Sequence, residues 1–502
     1  MKIDHIHLKN YRCFASLAVD FHPQMTVLVA PNGQGKTSLL DAVKVALWPF
    51  VAGFDLGSST NDVTGIHIDD VHRKPGIAHQ MEWRLPAEIK AVGQVQVRQL
   101  VIDGLLKDPD PQPEGGALDI TVAFAADLPW QGVRYRESVK KSTKTKDWVV
   151  VKALGLHEVA KALEERIFSD QQRQPDDLPM LGYYGTGRLW AQKKLTAAHE
   201  QADPETLSRT FAYRDCLDPA SSYKHFVVWF TRVHKALLQT QLRNFEKRLP
   251  LDADVPNGLI APFKAVQHAV DAMLKTHTGW HSLGYSAEHE ELVLQHDGHG
   301  QLKVSQLSDG IRNMLALVGD IAHRCYKLNA HMGESAPQRT HGIVMIDEVD
   351  MHLHPSWQQT VLTDLATTFA NLQFIVTTHS PQVLTSVEAA SIRILSETTD
   401  PESGHVTTTL RHVEFQTRGV ASSDLLARIM EVDPIPNVTE ARWVSDFHAL
   451  IQQGLHESEE GRMLRLRLDE HFGAGHPVMR ECDRLIRLQS YKSRMPRVGE
   501  SG

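Results

Sequence analysis

The segment Thr26-Val27-Leu28-Val29 runs directly into Ala30-Pro31-Asn32-Gly33-Gln34-Gly35-Lys36-Thr37, and from there into Ser38–Val43, whose apolar residues have helical spacing. A buried strand, a glycine-containing loop, Gly-Lys-Thr and a helix together form the Walker A context of a phosphate-binding loop. Gly33 and Gly35 let backbone N–H groups close around phosphates, with Asn32 and Ser38 flanking them, and the helix N-terminus adds its positive dipole. Lys36 is expected to neutralise the β- and γ-phosphates of ATP, and Thr37 to offer a hydroxyl to Mg²⁺. The pattern departs from the common form at one place, where Ala30 stands for the first glycine.

Three more motifs extend this site. Gly342-Ile343-Val344-Met345-Ile346 is an apolar strand that ends in Asp347 and Glu348, a Walker B pattern. Carboxylates straight after a buried run are costly without a cation. Asp347 is therefore expected to hold Mg²⁺, directly or through water, and Glu348 to polarise the water that attacks the γ-phosphate. Phe374-Ile375-Val376-Thr377-Thr378 is another buried strand, ending at His379, which resembles the switch histidine of ABC-type ATPases. Leu307-Ser308-Asp309-Gly310 heads an apolar-periodic segment shortly before the Walker B strand. Alone, that run is a good helix N-cap. Between the two Walker motifs it resembles the ABC signature, with Asp309 where the common form has glycine. Ser308 and Gly310 would then present a hydroxyl and N–H groups to an anion.

This order of motifs resembles the head of SMC and RecF proteins. The implied fold class is α/β: an ABC-type ATPase head with a mixed or parallel sheet carrying the P-loop, an antiparallel β lobe, an inserted helical hairpin and an α-helical C-terminal tail. The resemblance further implies that Ser308 contacts a γ-phosphate bound by another subunit. Two heads would sandwich two ATP molecules in a homodimer or higher oligomer, with ATP-closed and ADP-open states. Asn10-Tyr11-Arg12-Cys13-Phe14 resembles the opening of such heads, where the arginine lies near nucleotide or DNA. A surface ion pair is the alternative for Arg12. Asp350-Met351-His352-Leu353-His354-Pro355 resembles the D-loop; its two alternating histidines lack further ligands at metal-binding spacing. The Q-loop glutamine is unassigned, and Gln80 finds no place in the pattern.

The two halves of the head are separated by residues 38–300. The expected organisation is a first half over 1–155, a helical insertion over 156–290, a second half over 291–415 and a helical partner-binding tail over 416–502. Residues 222–248 and 259–275 have helical periodicity and are separated by Pro250, Pro256 and Gly258. Strands are expected within 118–152, at Leu118–Val122 and Val149–Val151, around the basic run Arg134, Arg136, Lys140, Lys141, Lys144 and Lys146. That run reads by default as a solvated hairpin tip, and otherwise as a track for phosphates. A net charge of −8 argues against a wholly basic coat for nucleic acid but leaves room for such a patch. The four cysteines are scattered without a CxxC pair, and no stretch approaches the roughly 18 unbroken apolar residues of a membrane span. A cytoplasmic protein without membrane contact is expected.

The Walker A form, Leu-Ser-Asp-Gly, the 346–355 and 377–384 runs, and the blocks at 178–190 and 213–219 together resemble the PtuA family, the ATPase subunits of Septu-type anti-phage systems. Some members are attached to retrons. The resemblance implies a sensor and regulatory scaffold that controls a partner HNH nuclease of the PtuB type. In retron versions a reverse transcriptase and its multicopy single-stranded DNA (msDNA) join the complex, so nucleic acid is an expected component. A RecF- or SMC-like repair ATPase on duplex DNA shares the same head. A self-contained ABC-type ribonuclease would need its chemistry in the tail, where His448, His456, His471 and His476 form no recognisable arrangement. An OLD-type nuclease is set aside, because the helical segment after 415 contains no Asp-x-Asp.

Overall fold

The computed structural model describes residues 1–56, 64–75, 80–98, 125–148, 155–169, 175–187, 208–219, 223–250, 255–399 and 406–494. The chain divides into two compact units, Met1–Leu425 and Leu426–Gly502. The strands expected at Leu118–Val122 and Val149–Val151 and the block residues Arg188–Trp190 lie outside the described residues.

The first unit opens with strands β1 (Lys2–Tyr11), β2 (Phe14–Asp20) and β3 (Met25–Val29), then helix α1 (Lys36–Ala52). A short hairpin follows, β4 (Arg73–Pro75) and β5 (Met81–Trp83), then β6 (Ala87–Arg98), β7 (Ala125–Arg136) and β8 (Lys146–Trp148). Next come α2 (Leu156–Phe168), β9 (Met180–Tyr184), α3 (Tyr223–Glu246) and α4 (Asn257–Thr278). The second half of the sequence supplies β10 (Trp280–Ser286), β11 (Glu291–His296), β12 (Gly300–Lys303), α5 (Asp309–Leu328), β13 (Gly342–Ile346), β14 (Leu372–Thr377), β15 (Ile392–Thr399) and β16 (Val406–His412).

The central sheet has six strands in the order β16-β15-β3-β14-β13-β9. All neighbours are parallel except the β15–β16 pair. Strands β3, β9, β13 and β14 are buried along their whole length, which is why each reads as an unbroken apolar run rather than an alternating one. A five-stranded antiparallel lobe, β2-β1-β6-β7-β8, forms a second layer, and β10-β11-β12 a smaller one. The mixed sheet, P-loop helix and antiparallel lobe make this an α/β head of the ABC type.

Side-chain amides join the layers. Gln373 of β14 is fully buried; its Oε1 accepts from the N–H of Ile3 at 2.9 Å and its Nε2 donates to the Ile3 carbonyl at 2.8 Å. Asn329 does the same for Leu178 ahead of β9, at 2.8 and 2.9 Å. Each amide imitates a strand partner and satisfies backbone groups that would otherwise be buried unpaired.

Two expectations need correction. The segment 156–290 is not wholly a helical insertion: α3 and α4 form where periodicity placed them, but β9 is an edge strand of the central sheet, in register with β13 from Met180↔Gly342 to Tyr184↔Ile346. The basic run is not one solvated tip either. Arg134 and Arg136 are 5% and 3% exposed and bind main-chain carbonyls, whereas Lys140, Lys141, Lys144 and Lys146 are exposed.

The second unit packs three helices, α6 (Thr439–Gln453), α7 (Glu459–Phe472) and α8 (Pro477–Arg494), around Phe447, Ile451, Leu464, Leu468, Met479 and Cys482. It therefore has a core of its own. The compact unit begins at 426, ten residues after the boundary expected from sequence.

Beneath the central sheet, Arg324 of α5 donates to Asp320 at 2.7 Å and to the carbonyls of Ala212 and Arg214, while the Tyr184 hydroxyl donates to Asp320 at 2.8 Å. Asp320→Ala removes the carboxylate that the buried Arg324 guanidinium bonds, for which a loss of about 3–5 kcal/mol is expected. Chemical denaturation monitored at the tryptophans checks this, and a wild-type midpoint would contradict the structural role given to the pair.

Candidate functional site

Parallel strands β3, β14 and β13 lie side by side, so their C-terminal ends open onto one edge of the sheet. Open α/β sheets bind ligands along that edge. The loop after β3 carries the Walker A residues. Gly33 and Gly35 have φ of 85° and 92°, a left-handed conformation that admits glycine readily. Gly35 is constrained twice, since a Cβ there would lie 2.5 Å from the Phe14 ring and 2.6 Å from the Cys13 sulfur. Helix α1 starts at Lys36 with no side chain capping its N-terminus, so its first N–H groups face the loop. Asn32 and Gly33 are exposed, and Ser38 is half-buried on the first turn.

Lys36 is 7% exposed, and its ammonium donates to two carbonyls of its own loop, Ala30 at 2.8 Å and Pro31 at 3.2 Å. Burial lowers its pKa from the ordinary lysine value, opposed by the charges of Asp347, Glu348 and Asp350. Asp347, 3% exposed, sits at the end of β13 and is gripped from both sides. The Thr37 hydroxyl donates to its Oδ2 at 2.8 Å and the Thr377 hydroxyl of β14 to its Oδ1 at 2.6 Å. Glu348 follows with a φ of 49°, and its N–H donates to the Thr377 oxygen at 2.8 Å. A non-glycine residue held at positive φ beside a buried acid is backbone strain of the kind found at active sites.

His379, just past β14, is exposed at the same edge. Its pKa lies below the usual histidine value; partial burial is the main cause, the Lys36 charge adds to it, and Glu348, Asp350 and Asp347 oppose it. The imidazole therefore shares one electrostatic field with the P-loop lysine and all three acids. The Thr378 hydroxyl donates to Asp350 at 2.6 Å, and the Ser380 hydroxyl to Gln358 at 2.7 Å, which fixes the run after Walker B against the run after β14.

The signature segment is built differently. Ser308 is exposed, precedes α5 in extended conformation and caps nothing with its side chain. Asp309 pairs with Arg312 one turn on. Gly310 is buried against the main-chain carbonyl of His352, where any Cβ would collide. His354 Nδ1 accepts from the Ser356 N–H and caps the short helix Pro355–Gln358.

Eight sequence-derived residues, Asn32, Gly33, Gly35, Lys36, Thr37, Ser38, Asp347 and Glu348, lie on or beside one loop, with His379 in their field. Ser308 and Gly310 lie on a different segment, the start of α5, with Gly310 packed on the His352 carbonyl. Thr377 is a site residue that its own run does not single out, since its role comes from Asp347 at the end of the neighbouring β13; two consecutive threonines at a buried strand end are the one local signal. Arg12 is committed to carboxylates, donating to Asp41 of α1 at 2.5 Å and to Asp70 at 2.8 Å. Gln80 is exposed.

The donor set fits a nucleotide polyphosphate with a divalent cation. Amide donors and a lysine converge on the loop, and a buried carboxylate meets a threonine hydroxyl where a cation would bridge them. Among the described residues no helix is long and apolar enough to cross a membrane.

The chain is similar to known proteins. A family model described as "AAA domain" matches residues 5–248, and one described as "AAA domain, putative AbiEii toxin, Type IV TA system" matches 228–385. The chain is similar to the retron Ec83 probable ATPase of Escherichia coli, with 25% identity over 94% of this chain and 84% of that one. It is 47% identical to the retron Vc95 probable ATPase of Vibrio cholerae serotype O1 biovar El Tor over 19% of this chain and 18% of that one. Septu protein PtuA of Bacillus mycoides (strain KBAB4) is 34% identical over 20% of this chain and 13% of that one. A solved Smc head bound to the C-winged helix domain of ScpA overlays with a TM-score of 0.44 and 14% identity, over 82% of this chain and 99% of that one.

If His379 senses the Lys36 and Glu348 charges, Lys36→Ala raises its titration midpoint and Glu348→Gln lowers it. Imidazole NMR titrations measure both, and identical midpoints in all three proteins would contradict the shared field.

Proposed function

We propose that this chain, a PtuA-like ATPase related to retron-associated ATPases, is an ATP-gated switch within a bacterial anti-phage complex. The observation that carries the reading is the Asp347 carboxylate held between Thr37 of the P-loop and Thr377 of β14 at 2.8 and 2.6 Å, with Lys36, Glu348 and His379 around it.

In this reading Lys36 leaves its own loop carbonyls to neutralise the β- and γ-phosphates of ATP, and the loop N–H groups from Gly33 to Ser38 wrap them. Thr37 and Asp347 would hold Mg²⁺, which would screen the charge of the phosphates. Glu348 orients the attacking water and takes its proton, its backbone pinned through the N–H bond to Thr377. His379, kept neutral at pH 7, directs an N–H to the γ-phosphate. Ser308 completes the site of a second copy: exposed and uncapped, it is free to meet a phosphate across a dimer. Two heads then close on two ATP molecules and reopen on hydrolysis.

The output goes to partners. Similarity to proteins named for retrons and for Septu supports a defence complex in which this ATPase restrains or releases an HNH nuclease of the PtuB type. The same similarity supports a reverse transcriptase with its msDNA as further components.

Lys36→Ala should lose ATP binding by at least about a hundredfold, since it removes the cation that faces the phosphates. Glu348→Gln should bind normally and turn over slower by about two or more orders of magnitude. Equilibrium binding of labelled ATP together with phosphate release separates the two. Unchanged affinity in the first variant, or wild-type turnover in the second, would refute the assignment. Mass measurement of the native complex purified through this chain tests the partners, and a chain that comes down alone would refute them.

A further inference from the structure

A second charged site lies on the antiparallel lobe. Arg136, at the end of β7, is 3% exposed. Its Nη atoms donate to the carbonyls of Ile66 at 3.2 Å, Thr143 at 2.6 Å and Lys140 at 2.5 Å, while its Nε has no partner. Among the described residues no carboxylate pairs with it. Its neighbour Arg134 differs: Asp147 neutralises that one at 2.6 Å. A buried guanidinium facing only carbonyl dipoles is a costly arrangement that a bound anion would relieve.

Arg136 lines a cavity of about 420 Å³ with Lys141, Ser142, Thr143, Lys144 and His67. Lys141 and Lys144 are exposed and, among the described residues, paired with no acid. Asp69 is the lone acid in this lining; it is exposed and lies 3.5 Å from Arg73. The cavity is thus a cationic, hydroxyl-bearing cradle of a size that admits a phosphate group and its ester neighbours.

On the other side of Lys144 and Thr145 lies a second cavity of about 420 Å³. Its character is different: Ala46, Trp48, Pro49, Ala52 and Leu156 supply a mostly apolar surface. Trp48 is half-buried and stacks on no other ring among the described residues. Two acids reach this lining, Asp147, which Arg134 neutralises, and the exposed Glu158. A cationic cradle sharing a wall with an aromatic, apolar hollow matches the two halves of a nucleotide, phosphate and base.

We infer that these adjoining cavities bind one nucleotide unit outside the ATP site, its phosphate beside Arg136, Lys141 and Lys144 and its base against Trp48 and Pro49. The shared chemistry can come from an unpaired nucleic-acid strand or from a free nucleotide. The inference does not rest on the ATP-gating reading, because none of these residues belongs to that site.

The test uses the full chain and fluorescence anisotropy. A labelled single-stranded oligonucleotide, a hairpin duplex of the same length and a labelled mononucleotide are the probes, the last in the Lys36→Ala background so that the ATP site is silent. Binding of either unpaired probe is expected, and the oligonucleotide arm tells a strand from a free nucleotide. The Lys141→Glu/Lys144→Glu double variant should weaken it at least about tenfold and reduce its salt dependence. Trp48→Ala should weaken it about tenfold through loss of stacking. In both variants ATP hydrolysis should stay at the wild-type rate, which reports that the chain is folded. Arg136→Met is a supplementary variant only, since that side chain is buried. No binding of either unpaired probe would overturn the site, as would binding that the lysine and tryptophan variants leave unchanged while hydrolysis is normal.

Discussion

The Thr37–Asp347 hydrogen bond, 2.8 Å long, closes a sequence separation of 310 residues and completes the phosphate edge of the molecule. Its partner on the other side, Thr377, is brought in by parallel pairing of β13 with β14, and β14 in turn pairs with β3, which leads to the P-loop. A buried carboxylate needs such donors or a cation. The whole strand order serves to bring them to one place, and an error of one residue in the β13–β14 register would separate Asp347 from Thr377.

The rest of the head can be read as support for that edge. Gln373 stitches the antiparallel lobe to the central sheet, and Asn329 ties the end of α5 to the run ahead of β9, each through a pair of bonds to one residue's backbone groups. Arg324, Asp320 and Tyr184 tie α5, whose N-terminus carries Ser308, to the strand that lies next to β13. The helix that begins after Ser308 and the strand that leads into Asp347 are in this way joined through β9.

Much of this was legible in the sequence because it is local. The buried runs of β3, β13 and β14, the glycines of the loop and the start of α1 all follow from apolar continuity and from residues that tolerate positive φ. What stayed hidden depends on contacts distant in the chain. Met180–Tyr184 is apolar enough to be a strand, but nothing near it shows that it pairs with Gly342–Ile346. Arg134 and Arg136 look like part of a solvated basic run until the lobe folds over them and supplies carbonyls. Arg12 could have faced a phosphate, and only the folded chain shows it bound to Asp41 and Asp70. Thr377 has meaning only beside Asp347.

In the proposed mechanism a working ATP site takes Lys36 from one copy and Ser308 from another. Mixing two inactive chains tests it: Lys36→Ala cannot hold ATP, and Ser308→Arg cannot complete its partner's site. Half the dimers in an equal mixture carry both variants, and each has one intact composite site, so phosphate release should recover to about a quarter of the wild-type rate. A mixture as inactive as its components, or a Ser308→Arg chain that hydrolyses ATP at the wild-type rate alone, would contradict the claim.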